Sequence, residues 1–342
     1  MQKRGYNMEI RRVQITGGSS YIITLPKEWI KISNIQKNDP IGLLTQSDGT
    51  LLITSKIKEE QLYKVKEFDT GKIPKQTFLL RQLIGAYIAG YTSIIVKSPL
   101  RMSTDVRNVL RTFTQTTIGQ EIIEETDDSI TLKDLLNPIE MPLDRTIKRM
   151  QIIVKGMNED VLRLVKTCDK KLADEIIFRD TEVDRLHLLI ARQYHIILQN
   201  VSLAEKMNIT INLSSTYFLI SRIIERIGDH LVRIAQNIQH LNNNKHNQKI
   251  IDKIEMADGL ALDIFNKSIG AFFRKDIKAS NENIDNVEKL EKLCEEINTL
   301  ALQQKGIIAI SIGYIADSIR RIGEYAEDIS ETVINYLINV EK

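Results

Sequence analysis

The sequence predicts a multidomain protein with a small β-rich head, an α/β spacer and an all-α body of two tandem three-helix units. Its 342 residues are more than one ordinary hydrophobic core organises. Apolar spacing changes from short β-branched runs before residue 56 to a helical period after residue 142. The motif Arg-Ile-Gly-acid-(His or aromatic) also occurs twice, at Arg226–His230 and Arg321–Tyr325.

The composition is that of a globular protein with an uneven charge distribution. The chain is 42% hydrophobic and 27% charged. Residues 1–56 contain eight Lys or Arg and four Asp or Glu, so the head carries +4; because the whole chain carries +2, the rest carries −2. A basic head on a mildly acidic body indicates a polyanionic partner for the head.

Three features favour a cytoplasmic protein without membrane insertion. The two cysteines, Cys168 and Cys294, form neither a CxxC motif nor a disulfide framework. The polar N-terminus lacks the pattern of a signal peptide. The longest apolar run, Gly306–Ala316, is shorter than the roughly 18 residues that a membrane span needs.

The head, residues 8–56, reads as short strands joined by tight turns. A strand ends at the glycine turn Gly17-Gly18, a second strand follows, and Pro26-Lys27 opens a short helix. Two further strands flank Ser47-Asp48-Gly49, which is a hairpin signal. A segment of this size has a marginal core by itself, so we expect dimerisation to complete it.

The segments VQITGGSSYIITLPKEW, NDPIGLL and DGTLLI resemble the AbrB/SpoVT-type swapped-hairpin DNA-binding domain, in its archaeal LPKEW form. The resemblance implies that two chains interleave hairpins into one small β-barrel whose basic residues face DNA. By position, it implies DNA contacts from Arg11, Arg12, Ser19, Ser20, Lys27 and Lys31. The alternative is a dimerisation module with ordinary surface charges.

Residues 60–136 are predicted to form a small α/β spacer domain in the order β-α-β-α-β-β. The stretch has no glycine-rich phosphate loop, no nucleophile elbow and no metal-ligand spacing. It is a spacer or interaction module, with ligand sensing as the alternative.

Residues 142–342 are helical in period and follow two proline-containing breaks. We predict six helices in two repeats, about 142–243 and 247–340. An offset of 101 residues makes Asp285 the counterpart of Asp184, as judged from the sequence.

Acidic pairs four residues apart are candidate metal ligands, because that spacing puts both carboxylates on one helix face. If the two helices are neighbours, four acids converge: Asp180, Asp184, Glu225 and Asp229. An oxygen-only set favours Mg, Mn, Fe or Zn as the divalent ion, and His187 could add a nitrogen ligand, whereas His230 points off that stripe. The alternative is that the acids pair with arginines of the same helix, namely Arg222, Arg226 and Arg233.

The second repeat has lost one acid from each pair, leaving Asn281 with Asp285 and Arg320 with Glu324. A cation at a metal-ligand position opposes metal binding. We therefore expect at most one intact metal site.

The segments ERIGDH and RIGEYAEDI resemble the PhoU family of phosphate-uptake regulators, over residues 142–340. The resemblance implies tandem three-helix bundles and metal ligation by the four acids of the first repeat, with Asp285 and Glu324 as weaker remnants.

Together the two resemblances imply an archaeal two-part regulator of phosphate uptake. We expect a homodimeric, DNA-binding transcriptional regulator of phosphate homeostasis with a metal-binding sensory body. The alternative is an adaptor that restrains a phosphate ABC transporter without touching DNA. A metal-dependent hydrolase is disfavoured, because no pairing provides an obvious base and nucleophile.

Overall fold

The computed structural model describes residues 9–45, 49–55, 64–73, 75–241 and 248–340. The chain divides into two compact units, Met1–Tyr63 and Lys64–Lys342. Each unit is described by itself.

The N-terminal unit consists of two antiparallel strand pairs and one short helix. Its elements are β1 (Gln14–Thr16), β2 (Ser20–Ile22), α1 (Lys27–Ile32), β3 (Gly42–Thr45) and β4 (Leu51–Thr54). Thr16 pairs with Ser20 across a turn in which Gly17 and Gly18 have φ of +63° and +83°, which glycine adopts without strain. The predicted strand–turn–strand–helix order is confirmed. Ser47 and Asp48 of the predicted hairpin turn lie outside the described residues.

This unit leaves its apolar side chains in contact with solvent. Tyr21 is 76% exposed, and Ile15 and Leu43 are each more than 60% exposed. None of the unit's residues for which burial is described is buried. One copy of these strands therefore has no hydrophobic core of its own.

The second unit begins with a four-stranded sheet in the order β5-β6-β8-β7. Its elements are β5 (Val65–Asp69), α2 (Gln76–Ile88), β6 (Ser93–Lys97), α3 (Thr104–Thr116), β7 (Gln120–Glu125) and β8 (Ser129–Asp134). The β5 and β6 strands are parallel, while β8 is antiparallel to both β6 and β7. Ile94, Val96 and Leu132 pack with α2 and α3 into a core of their own. The predicted β-α-β-α-β-β order is confirmed.

The helical body follows, and its helices form one continuous core. Its elements are α4 (Leu143–Thr167), α5 (Lys170–Gln199), α6 (Val201–Lys206), α7 (Ile211–Ile238), α8 (Gln248–Arg274), α9 (Ile277–Ile284), α10 (Val287–Ala301) and α11 (Ile307–Val340). The first three-helix unit is α4, α5 and α7. The second is α8, α9 with α10, and α11, and the two units meet along α7 and α11.

The described helices differ in two respects from the six that were predicted. The α6 helix is an additional short helix in the connection between α5 and α7, capped by the Asn200 side chain, which accepts from the Leu203 N–H. The predicted fifth helix is broken between α9 and α10. At this break, the buried Asn283 amide donates to the Ile264 carbonyl and to Ser330 Oγ, so tertiary hydrogen bonds stabilise the interruption.

The four-stranded sheet with α2 and α3, here called the sheet layer, is packed against α5 through a buried arginine. Arg192 is 2% exposed and donates to the carbonyls of Tyr87 and Tyr91 and to the Asp134 carboxylate. Its guanidinium also lies 4.9 Å from the centre of the Tyr87 ring. The predicted spacer is therefore joined to the helical body in one compact unit.

Within the described ranges, no helix combines the length and the apolar character needed to cross a membrane.

Candidate metal centre and nucleic-acid interface

The six residues that the first resemblance assigns to DNA contact are all exposed. They are Arg11, Arg12, Ser19, Ser20, Lys27 and Lys31. Ser19 and Ser20 lie at the β1–β2 turn, and Lys27 and Lys31 lie on α1. Arg11 is engaged by Glu9 in an exposed ion pair, which partly neutralises it in this arrangement.

The predicted acidic centre lies where α5 and α7 pack against each other. Each helix begins at a polar cap: Asp169 accepts from the Lys171 N–H, and Thr210 accepts from the Leu213 N–H. Burial of apolar residues on both helices then fixes their relative rotation and turns the acidic pairs towards each other.

A glycine permits the close approach of the two helices. A Cβ added at Gly228 on α7 would overlap with Asp180 Oδ1 on α5. Asp180 is buried, and its Oδ1 has no hydrogen-bond partner within the described part of the chain. The glycine of the Arg-Ile-Gly motif thus makes room for a carboxylate.

The electrostatics show that the four acids share one neighbourhood. Burial, together with the charges of Asp184, Asp229 and Glu225, raises the pKa of Asp180 to about 7. Burial and Asp229 raise the pKa of Asp184 to about 6. Burial, Asp229 and Asp184 raise the pKa of Glu225 to about 7, with Arg226 and Arg222 opposing. Burial also raises the pKa of Asp229.

The arginines of α7 do not neutralise this cluster by direct pairing. Among the described residues, none of the four acids accepts a hydrogen bond or forms an ion pair. Arg226 lies over the Tyr325 ring, and Arg233 over the Tyr314 ring. Arg233 also reaches Asp317 at 4.0 Å. The same-helix pairing considered from the sequence is therefore not the arrangement in the structure.

The acids suit a hard divalent cation in kind and charge, since they are oxygen donors without a counter-ion and one donor atom is orphaned. They are not gathered around a point, however. Within the ranges that the structure covers, no three or more His, Cys, Asp or Glu side chains are arranged to hold a metal ion.

The rings of the two histidines contact groups other than the four acids. His187 Nδ1 is 3.0 Å from Ser221 Oγ, and its ring stacks on Phe218 with centroids 5.9 Å apart. Its pKa is lowered to about 4 by burial and by Arg222. His230 packs against Tyr325, off the acidic stripe as the sequence predicts.

The second unit has a different register from the one the sequence offset predicts. Along α11, Asn283 meets Ser330, whereas a Cβ at Gly323 would overlap with Leu290 of α10. Leu290 thus takes the place that Asp180 has in the first unit. Asp285 lies between α9 and α10, and no described contact joins it to Glu324.

Glu324 is held by arginines. Arg320 bonds both Glu324 and Asp317, the latter at 2.9 Å, and Arg321 donates to Glu324 at 2.9 Å. Cys294 on α10 lies near the Arg320 charge; burial raises the pKa of its thiol to about 12, with Arg320 opposing. Sequence reasoning missed Leu290 and Cys294, although the repeated glycine was a signal of the close approach.

In a comparison with known protein families, two parts of the chain match two different domain families. Residues 147–238 and 254–333, just over half of the chain, match the PhoU domain. Residues 14–61 match the domain described as antidote-toxin recognition MazE, bacterial antitoxin.

Individual proteins called PhoU or PhoU homologs are similar to more than half of the chain. The chain is 23% identical over 199 residues to a phosphate-specific transport system accessory protein PhoU homolog 1 of Thermotoga maritima, covering 56% of this chain and 84% of that one. It is 24% identical over 204 residues to the corresponding homolog of Clostridium acetobutylicum, covering 57% and 90%. The solved structure of PhoU from Streptococcus pneumoniae is 20% identical with a TM-score of 0.47, covering 58% and 94%. These relatives are bacterial, so an archaeal type stays a prediction.

Proposed function

This chain belongs to the PhoU domain family, and on that premise we propose that it regulates phosphate uptake and homeostasis by binding DNA through its N-terminal unit. The observation that carries the proposal is the presence of both family segments, 14–61 and the PhoU body, in one chain. We propose a regulatory role without catalysis.

The exposed surface of the N-terminal unit supports the DNA part of the proposal. Its apolar strands need a second surface to cover them, and a second copy of the same unit supplies one in a homodimeric swapped-hairpin barrel. Arg12, Lys27 and Lys31 are exposed cations that could neutralise phosphates, and Ser19 and Ser20 could donate hydrogen bonds to phosphate oxygens.

The counter-ion-free acids support a sensory site in the body. Asp180, Asp184, Glu225 and Asp229 would hold a divalent cation of the Mg, Mn, Fe or Zn type. When bound, the ion would supply the positive charge that this cluster of acids lacks. The buried Asp180 would supply an oxygen that has no other described partner.

The α5 helix offers a route from this site to the sheet layer. Arg185, next to Asp184, donates to the Thr117 carbonyl at 3.3 Å, and Arg192 is held by the sheet as described. A displacement of α5 would therefore be transmitted to the sheet layer through these two arginines. We propose that this layer passes the change to the DNA-binding unit.

The first experiment measures DNA binding by fluorescence anisotropy over a salt series, using duplexes from the protein's own upstream region and from phosphate-transport promoters. We expect Arg11→Ala/Arg12→Ala to weaken binding and to lower the salt slope by up to about 2, since about one counter-ion is released per phosphate contact.

Lys278→Ala in the helical body, which removes an exposed cation outside the N-terminal unit, is the control and should leave the slope unchanged. Absence of binding at low salt would contradict the proposal.

The names of the relatives favour a second candidate. The Thermotoga maritima and Clostridium acetobutylicum proteins are called phosphate-specific transport system accessory proteins. In this alternative the protein is an adaptor that restrains a phosphate transporter, and its head only dimerises. Co-purification with a phosphate transporter, together with no salt-dependent DNA affinity, would favour the adaptor.

A further inference from the structure

The two helical units share one close approach and fill it with different chemistry. In the first unit, Gly228 of α7 accommodates Asp180 of α5; in the second, Gly323 of α11 accommodates Leu290 of α10. Because the glycines occupy the same place in the repeated Arg-Ile-Gly motif, the side chains around them can be compared position by position.

One turn away, the comparison brings two further pairs into correspondence. Asp184, four residues after Asp180, corresponds to Cys294, four residues after Leu290. Glu225, three residues before Gly228, corresponds to Arg320, three residues before Gly323. The three acids of the first unit thus correspond to an apolar side chain, a thiol and a cation in the second unit.

In the second unit, Arg320 lies among the acids Asp317 and Glu324. Its guanidinium bonds Glu324, the counterpart of Asp229, and donates to Asp317 at 2.9 Å. Glu324 is further held by Arg321 on its other oxygen. The negative charges of Glu324 and Asp317 are therefore compensated by a side chain of the protein itself. The Arg320 side chain is about one-third exposed.

We propose that Arg320 is a built-in counter-ion, which occupies in the second unit the place of a divalent cation in the first and confines cation binding to the α5–α7 site. This inference rests on the proposed metal site of the first unit. A guanidinium already bonded to Glu324 and Asp317 satisfies their charge and repels a second cation. The second unit is therefore a permanently compensated copy, and only the first responds to ions.

The test measures Mn²⁺ binding to the full chain by isothermal titration calorimetry. Wild type is expected to bind Mn²⁺, and Asp184→Asn/Glu225→Gln to lose that binding. Cys294→Asp/Arg320→Glu gives three carboxylates at positions 294, 320 and 324, and its Mn²⁺ stoichiometry is expected to be twice that of wild type. Leu290 is kept in this variant, so that its contact with Gly323 is unchanged.

A stability measurement provides a second readout that does not depend on ion binding. Arg320→Gln removes the bonds to both Glu324 and Asp317, whereas Arg321→Gln removes only one bond to the same Glu324. We expect a larger loss of melting temperature for Arg320→Gln, measured without added metal by differential scanning calorimetry.

The outcomes separate the inference from the proposed function. Equal melting temperatures for Arg320→Gln and Arg321→Gln would overturn the inference. So would a folded Cys294→Asp/Arg320→Glu variant without added stoichiometry, or Mn²⁺ binding that survives Asp184→Asn/Glu225→Gln and disappears with Glu324→Gln. If wild type binds no Mn²⁺, the metal part of the proposed function fails, and the two arginine variants still decide whether Arg320 is the counter-ion.

Discussion

Gly228 shows how one absent side chain determines the chemistry of a site. Its hydrogen faces the Asp180 carboxylate, so α7 can approach α5 closely enough to bury an acid between them. The repeated Arg-Ile-Gly motif is visible in the sequence, but its meaning depends on what the neighbouring helix places there. In one unit this is Asp180, and in the other it is Leu290.

We expect Gly228→Ala to push Asp180 out of its place and to destabilise the protein by about 1–3 kcal/mol, as overpacking of a filled interior does. Mn²⁺ affinity should fall as well. Gly259→Ala on α8 is the matched control, because a Cβ there meets nothing within 4 Å; it should stabilise the helix by up to about 1 kcal/mol. Urea unfolding and calorimetry measure both effects. Equal stability of the two variants would contradict the close packing at Gly228.

Asp258 is a second buried acid, located on α8 and fully enclosed. Asn158 Nδ2 donates to its Oδ2 at 2.6 Å, and its Oδ1 has no partner among the described residues. Burial raises its pKa from 3.8 to about 7, with Asn158 opposing. The folded protein therefore holds a proton on this group that the unfolded chain releases at lower pH.

Since the folded-state pKa is the higher one, the stabilisation by this group is present below about pH 4 and is lost as pH rises through 7. Asp258→Asn should thus exceed wild type in stability at pH 8 by on the order of 2 kcal/mol, and by little at pH 4. Asp180, Asp184 and Glu225 titrate in the same window, so the difference between variant and wild type is the quantity to measure. Asp263→Asn, which removes an exposed acid of the same helix, is the control for the loss of one carboxylate from α8. A pH-independent difference for Asp258→Asn would refute the assignment.

At the scale of elements, helical period predicted more than sequence offset did. The spacing of four residues was enough to predict that each acidic pair lies on one face of its helix, because the period is a local property of the helix. That these faces meet depends on the packing of α5 against α7. The counterpart in the second unit could not be predicted in this way. Its register depends on the break between α9 and α10, which buried hydrogen bonds of Asn283 stabilise across the core.

The contact between α5 and the sheet was also beyond sequence reasoning. Arg192 lies among apolar residues of α5, and a charged side chain in a helix is usually on the surface. Its partners Tyr87 and Asp134 are 105 and 58 residues away in the sequence. Only the packing of the sheet layer on α5 shows that this arginine is buried.

Arg192→Met should cost on the order of 3 kcal/mol, because it leaves the buried Asp134 carboxylate without its cation. Adding Asp134→Asn should recover part of that loss, since the stranded charge is then removed. Chemical denaturation of the single and double variants forms a double-mutant cycle. Simple additivity of the two losses would show that the pair is not coupled.

At the scale of the whole molecule, the chain combines a head without a core of its own and a body with a continuous one. The sequence predicted both. A segment of about 48 residues with short strands cannot bury much apolar surface, whereas long amphipathic helices can. The prediction was incomplete for the middle of the chain. There, a sheet layer with its own small core is also fastened to the helices, and no local pattern distinguishes a fastened layer from an independent domain.

The buried guanidinium of Arg192 has a consequence for how such proteins can be recombined. A gene fusion that took the helical repeats alone, from residue 142 onward, would remove the carbonyls and the carboxylate that Arg192 binds, and it would expose Leu188, which packs against the core of the sheet layer. The unit to transfer starts instead at Lys64, because the sheet layer and the helical repeats form one compact unit. The N-terminal unit can then be exchanged separately.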